Sequence, residues 1–291
     1  MRLLKTILFV LAALMLSGSP ARAARADTDR AAVVDAFVKL HTAPRVQMTG
    51  KGRFHLSLFN CTLQFREQYA RDPEYACAIE LSLDGRETGG RVIKPQKTRE
   101  FLAGSGPVLY RYRKVNDHPW TRERVERADP EEEDKIRADY AGRILEVIPI
   151  ASDEKEETLA AMTAVVAEAG SDDLPGNARR RQIGESLYIL TLDKATGRPL
   201  RLMWDYSPLM QEIMKQQLSP GSGSGEVPDR QVLETDAFIH SISMLCTGDF
   251  AYDSNTVITV PGEALLAPEK EAETPFLNPF GMHEGSVLQS L

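Results

Sequence analysis

Long apolar runs are scarce in this chain. The one present, Thr6 to Leu16, follows Arg2 and Lys5 and precedes the small-residue patterns Ala21-Arg22-Ala23 and Ala24-Arg25-Ala26. That is the layout of a secretory signal peptide, expected to span residues 1–26. The run falls short of the roughly 20 apolar residues that cross a bilayer. No later stretch is apolar enough to try, so no transmembrane segment is expected after cleavage. Nor does a cysteine follow the run, which argues against a lipid-anchored lipoprotein.

Cysteine is almost missing: Cys61, Cys77 and Cys246 are the complete set among 291 residues, and their spacing matches no metal-ligand signature. In an oxidising compartment two readings stay open. Cys61 and Cys77, both expected in the first strand pair, form a disulfide and leave Cys246 odd, or all three remain buried and reduced. Histidine is sparse as well. His41, His55, His118, His240 and His283 are scattered, with no two at metal-ligand spacing and none beside a nucleophile motif. GSGSG lacks both a preceding strand and a following Lys-Ser/Thr, so it is no phosphate loop. DPEEEDK lacks the alternating acids and central glycine of an EF-hand and reads as a helix start. No catalytic residue, metal or cofactor is expected.

Positive charge is short too. Removal of residues 1–26 leaves 31 basic against 42 acidic residues, a formal charge of −11 where the full chain has −7. Nucleic acid and anionic membrane are disfavoured partners, and Arg179-Arg180-Arg181 reads as a solvated loop.

What the chain does contain is strand pattern. Leu187 to Tyr206 (LYILTLDKATGRPLRLMWDY) places two apolar segments around a turn, with Ala195-Thr196-Gly197 as the loop and Gly197 left-handed. In that register Lys194 faces Arg198, Leu192 faces Leu200, Leu190 faces Leu202 and Tyr188 faces Trp204. One face thus carries six large apolar residues that need a cover.

Around this hairpin the chain reads in order as follows. Asp29 to Leu40 is an amphipathic helix ended by Pro44. Val46 to Phe65 is a strand whose apolar phase shifts, expected to mark a bulge near Leu58. Tyr75 to Leu83, Lys97 to Leu102 and Val108 to Lys114 are further strands, the last with Val108, Tyr110 and Tyr112 on one face. His118-Pro119-Trp120 suggests a loop capped by an aromatic. Asp129-Pro130 opens a helix with the stripe Ile136, Tyr140, Ile144 and Val147; a second helix with Leu159, Met162, Val165 and Val166 runs from Ser152 to Gly170. This acidic helical pair can lie across one face of a curved sheet. Ser207-Pro208 begins a short helix with Leu209, Met210, Ile213 and Met214 on one face, followed by the flexible Ser219 to Gly225. Thr235 to Leu245, Phe250 to Tyr252 and Val257 to Val260 are strands, Pro261-Gly262 leads into a last short helix, and residues 267–291 read as a disordered tail.

With the TGRP hairpin and the closing YDSNTVITVPGEAL in view, the chain resembles the LolA-like, LppX/LprG-like superfamily of exported bacterial lipid- or lipoprotein-binding proteins. The likeness covers Asp29 to Leu266 in topology and the last third in motif. It implies an α+β fold in one domain, residues 27–266: a curved antiparallel sheet, an unclosed β-barrel, wrapped around a few helices. The apolar space would then hold a lipid or an acyl chain in a periplasmic or extracellular protein. The chain departs from the simpler carriers in its acidic helical pair and its Gly/Ser segment, and none of its arginines can be assigned the carriers' lid-locking role. Candidate cavity residues are Leu56, Leu58, Ile79, Leu81, Tyr110, Tyr188, Leu190, Leu202 and Trp204. Candidate lid residues are Leu209, Met210, Ile213 and Met214. The alternative is a cell-envelope interaction or sensor module that recognises another envelope protein and whose helices fill the concavity.

Overall fold

A computed structural model describes residues 20–56, 59–71, 76–87, 92–104, 108–126, 133–168, 180–205, 207–218, 236–252 and 257–270. Its first element, helix α1 (Pro20–Thr42), starts inside the 26 residues read as a signal peptide. Its inward stripe is the expected one: Val33, Ala36, Phe37 and Leu40 are buried, joined by Val34 and Val38. Side chains of this size contribute about 1.5–3 kcal/mol each when fully covered.

Six strands follow as a meander: β1 (Arg45–Leu56), β2 (Phe59–Ala70), β3 (Ala76–Glu87), β4 (Val92–Ala103), β5 (Val108–Val115) and β6 (Thr121–Glu126). The stretch Val46 to Phe65 is therefore two antiparallel strands rather than one bulged strand. Leu56 pairs with Phe59 and Phe54 with Cys61, so the shift in apolar phase records the reversal of the chain across a two-residue connection. Residues 57 and 58 themselves lie outside the described residues.

Helix α2 (Glu133–Arg143) buries Ile136 and Tyr140 as expected. The helical pair ends there. Ile144–Ser152 is strand β7 and Glu156–Glu168 is strand β8. At Ser152-Asp153 the chain turns: the Asp153 carboxylate accepts from the backbone N–H of Lys155 and Glu156, both at 2.7 Å. The residues of β8 that face inward are Leu159, Ala161 and Thr163, a period of two carried by small side chains. Leu159, Met162, Val165 and Val166 suggested a helix because alanine and threonine weigh little in an apolar pattern.

Strands β9 (Arg180–Asp193) and β10 (Pro199–Asp205) are the hairpin. Helix α3 (Ser207–Leu218) follows. Residues 236–240 form a helical turn where strand was expected, and β11 (Ser243–Tyr252) begins only after it. Residues 257–260 are not strand either, and Val257 is exposed. Helix α4 (Gly262–Leu265) and β12 (Glu269–Lys270) complete the described chain. Buried Ala267 and the parallel pairing of β12 with β6 carry ordered structure past the expected boundary at Leu266.

All twelve strands among the described residues form one sheet, in the order β12-β6-β5-β4-β3-β2-β1-β11-β10-β9-β8-β7. Two meanders meet where β1 pairs with β11, and among the described residues no pairing joins the edge strands β12 and β7, so the curved sheet is not closed. Helices α1, α2 and α3 pack on one face of the β7–β11 half, here the inner face. Segment 257–268 packs on the other face at β5 and β6, over Tyr112 and Trp120.

Candidate ligand-binding face of the sheet

The hairpin turn is one residue longer than expected. Asp193 N–H donates to the carbonyl of Arg198 at 2.9 Å and Gly197 N–H to that of Asp193 at 2.7 Å, enclosing Lys194 to Gly197. Gly197 is left-handed, φ +65°, the conformation glycine adopts without a Cβ penalty. Pro199 then pairs with Leu192, and Leu200 occupies an irregular step before Arg201. That step absorbs the extra residue, so Leu190 pairs with Leu202 and Tyr188 with Trp204 as the sequence implied. The inner face here consists of Tyr188, Leu190, Leu192, Pro199, Leu202 and Trp204, all buried, while Leu200 is only partly covered.

Protein covers this face. Phe37 of α1 stacks on Tyr140 of α2 with ring centroids 4.4 Å apart and reaches Tyr188 at 5.8 Å. His41 Nε2 and the Tyr140 hydroxyl lie 2.7 Å apart. Burial, with Arg71 and Arg143 adding to it and Asp139 opposing, lowers the His41 pKa to about 4, so the imidazole is neutral at physiological pH. Burial also raises the Tyr188 pKa, against the nearby Arg143.

Across the sheet, Phe65 on β2 and Trp204 on β10 stand three strands apart, about 14 Å in a flat sheet at ~4.8 Å per strand. Their ring centroids are 5.9 Å apart. The pair Gly50 and Gly248 makes this approach possible. A Cβ on Gly50 would lie 2.2 Å from the Thr247 carbonyl oxygen and 2.3 Å from Phe65 Cζ; one on Gly248 would lie 3.0 Å from the Met48 side chain. The aromatic rings lean into the space the glycines leave, and the two halves of the sheet are drawn together at that seam.

On the β1–β5 half the inner face is more varied. Leu63, Phe65, Cys77, Ile79 and Leu102 are buried, whereas Phe54, Leu81 and Leu83 pack on the same core half-buried. Charge sits beside them. Glu67 is fully buried and accepts from the Tyr69 hydroxyl at 3.3 Å. Glu100 lies 3.3 Å from Arg111 and 4.0 Å from Arg113, and Arg111 reaches Glu123 at 3.7 Å. Charges taken from water persist only when paired. Sequence reading missed this group because alternate positions in β5 place Leu109, Arg111 and Arg113 on the inner face and Tyr110 and Tyr112 on the outer one. The signal was there: acid in β2 and β4 and arginine in β5 at matching strand positions.

Of the expected cavity residues, Ile79, Leu81, Tyr188, Leu190, Leu202 and Trp204 share the inner face. Tyr110 does not: it lies on the outer face beside Tyr112, under the Arg122 guanidinium at 5.2 Å. Leu56 closes β1 opposite Phe59; its side chain and all of Leu58 lie outside the described residues. Of the lid residues, Met210 is buried and Met214 packs on the core, and the side chains of Leu209 and Ile213 lie outside the described residues, as does Ser219 to Gly225. Helix α3 is fastened at its start: Ser207 N–H donates to the Asp205 carboxylate at 2.8 Å, and the Ser207 hydroxyl accepts from Met244 N–H at 2.9 Å.

Of the two readings left open for the cysteines, the Cys61–Cys77 disulfide is not formed. Cys61 pairs opposite Gly85 and Cys77 opposite Tyr69. That is eight residues along β2, roughly 27 Å at the rise of a strand, and a disulfide spans under about 7 Å between Cα atoms. All three cysteines are free. Burial pushes the Cys77 thiol well up, with Glu67 adding to the effect, and the Cys246 thiol to about 12. Both stay protonated at neutral pH, the opposite of a reactive cysteine. Among the described residues no three His, Cys, Asp or Glu side chains group as metal ligands, and no helix is long and apolar enough to cross a membrane.

No family model and no curated protein matches the sequence. Among solved structures the chain is similar to LprF from Mycobacterium bovis, with a TM-score of 0.35 and 9% identity over 82% of this chain and 98% of that one. It is also similar to a DUF1329 family protein from Desulfovibrio piger, with a TM-score of 0.26 and 10% identity over 79% of this chain and 92% of that one. These are likenesses of chain course, and no residue role or activity is carried over from them.

Proposed function

We propose that this is an exported, non-catalytic binding protein that shelters an apolar chain, a lipid or an acyl group, against the inner face of β1–β5. Residues 1–26 direct export to a periplasmic or extracellular space, and residues 27–266, extended to Lys270, form the binding domain. The observation that carries this reading is the half-buried strip of Phe54, Leu81 and Leu83, continuous with the core. Burying such a strip under a ligand is favourable at about 25 cal/mol per Å². Leu190, Leu202 and Trp204 support the ligand site from beneath, because α1 and α3 already occupy the space above them. Helix α3, which packs on β9 and on β11 next to β1, borders that strip and with Leu209, Met210, Ile213 and Met214 is the lid, Ser219 to Gly225 being its tether.

A second reading has its own support. The near-complete burial of Trp204, Leu190 and Met210 fits an envelope interaction or sensor module whose core is filled by protein. Native mass spectrometry, with organic extraction of protein purified from a membrane-containing host, separates the two. A lipid or acyl chain retained at about one per protein is expected; protein that emerges free of ligand in every preparation favours the filled module. Deleting Ser219 to Gly225 is expected to change the rate of ligand exchange, and an unchanged rate removes α3 as a lid.

A further inference from the structure

The outer face of β1–β4 holds a depression of about 630 Å³, remote from the helices. Two cross-strand rows floor it. In the first, Thr247, Lys51, Gln64, Ser82 and Lys97 stand side by side on β11, β1, β2, β3 and β4. In the second, Asp249, Thr49, Arg66, Glu80 and Arg99 do the same.

Charge is distributed unevenly across these rows. Both acids are already answered: Glu80 lies 3.5 Å from Arg99, and Asp249 lies 2.6 Å from Arg201 outside the depression. Arg66 donates to the Gln47 side-chain oxygen at 3.3 Å. Among the described residues no carboxylate pairs with Lys51 or Lys97, which are both exposed and stand three strands apart in the first row, about 14 Å by strand spacing. A chain of formal charge −7 therefore presents a net positive depression. Between its two free ammonium groups lie Gln64 and Ser82, which both donate and accept hydrogen bonds.

From this arrangement we infer a second binding site, for an acidic saccharide: hydroxyls meet Gln64, Ser82 and the flanking threonines, and the acid groups meet Lys51 and Lys97. The volume suits a small ligand. Single-stranded nucleic acid would call for stacking aromatics, and the rows offer none on this face. An anionic bilayer would meet the acidic remainder of the chain around a recess it cannot enter.

Isothermal titration of the full-length mature protein at about 50 mM salt, where electrostatic binding is least screened, tests the site with trigalacturonate as probe. Maltotriose serves as the neutral control. Trigalacturonate is expected to bind at least about tenfold more tightly than maltotriose, to lose about tenfold in the Lys51→Glu/Lys97→Glu variant, and to weaken with added salt. Gln64→Ala/Ser82→Ala, which removes no charge, is expected to weaken binding several-fold. Unchanged melting of both variants, whose substitutions are on the sheet surface, shows that the fold is intact. Equal affinity in the double lysine variant, equal affinity for maltotriose, no heat at millimolar probe, or association with phosphatidylglycerol vesicles alone would each overturn the inference.

Discussion

His41 is where a single residue links this fold to pH. Its folded pKa of about 4 lies below the 6.5 of an exposed imidazole, so between those values the unfolded chain binds the proton and the folded one does not. Stability therefore rises with pH through this window and is lost as pH falls from 6.5 towards 4. At 1.36 kcal/mol per unit the full effect is roughly 3 kcal/mol; the part of His41 that meets water reduces it to about 1–3 kcal/mol. Urea unfolding from pH 4 to 7 is expected to show this slope, and His41→Gln to flatten it. Sequence reading placed His41 among unconnected histidines, since its partners Arg71, Tyr140 and Arg143 come from distant parts of the chain.

At the scale of elements, the glycine seam sets the curvature. Gly50→Ala puts a methyl group against a backbone oxygen that cannot rotate away, so it is expected to destabilise the protein by about 1–3 kcal/mol, seen as a lower urea midpoint. Full stability in Gly50→Ala would mean that the strands do not approach as described. The hairpin shows how an element can be legible while its detail is not. Leu190 opposite Leu202 and Tyr188 opposite Trp204 followed from alternation, but the four-residue turn and the irregular step at Leu200 compensate each other, and alternation alone cannot count both. The β7–β8 hairpin was misread for a different reason. Ala161 and Thr163 face inward where α1 and α2 lie close, and the need for small residues there exists only once the helices are docked.

Across the whole molecule the inner face is divided between a half filled by helices and a half with a partly open strip, and the two should respond differently to truncation. Leu159→Ala, in the filled half, is expected to cost about 2–5 kcal/mol of stability without altering ligand content. Leu81→Ala is expected to cost less, and to lower the amount of lipid recovered with the protein. Equal ligand loss in both variants would place the ligand among the helices instead.

Alternation of apolar residues along the chain by itself determined that this protein is a large antiparallel sheet with a few helices, because strand and helix periodicity are local properties. So were the left-handed Gly197 and the inward stripe of α1. Which face of β5 turns inward, why Glu67 and Glu100 are tolerated there, and how far Cys61 stands from Cys77 depend on strand order and register. Those follow from which surfaces remain to be covered when the two meanders meet at β1 and β11. The division of the inner face into a filled and an open half was decided at the same level, since it depends on which strands the helices α1, α2 and α3 pack against in the folded sheet.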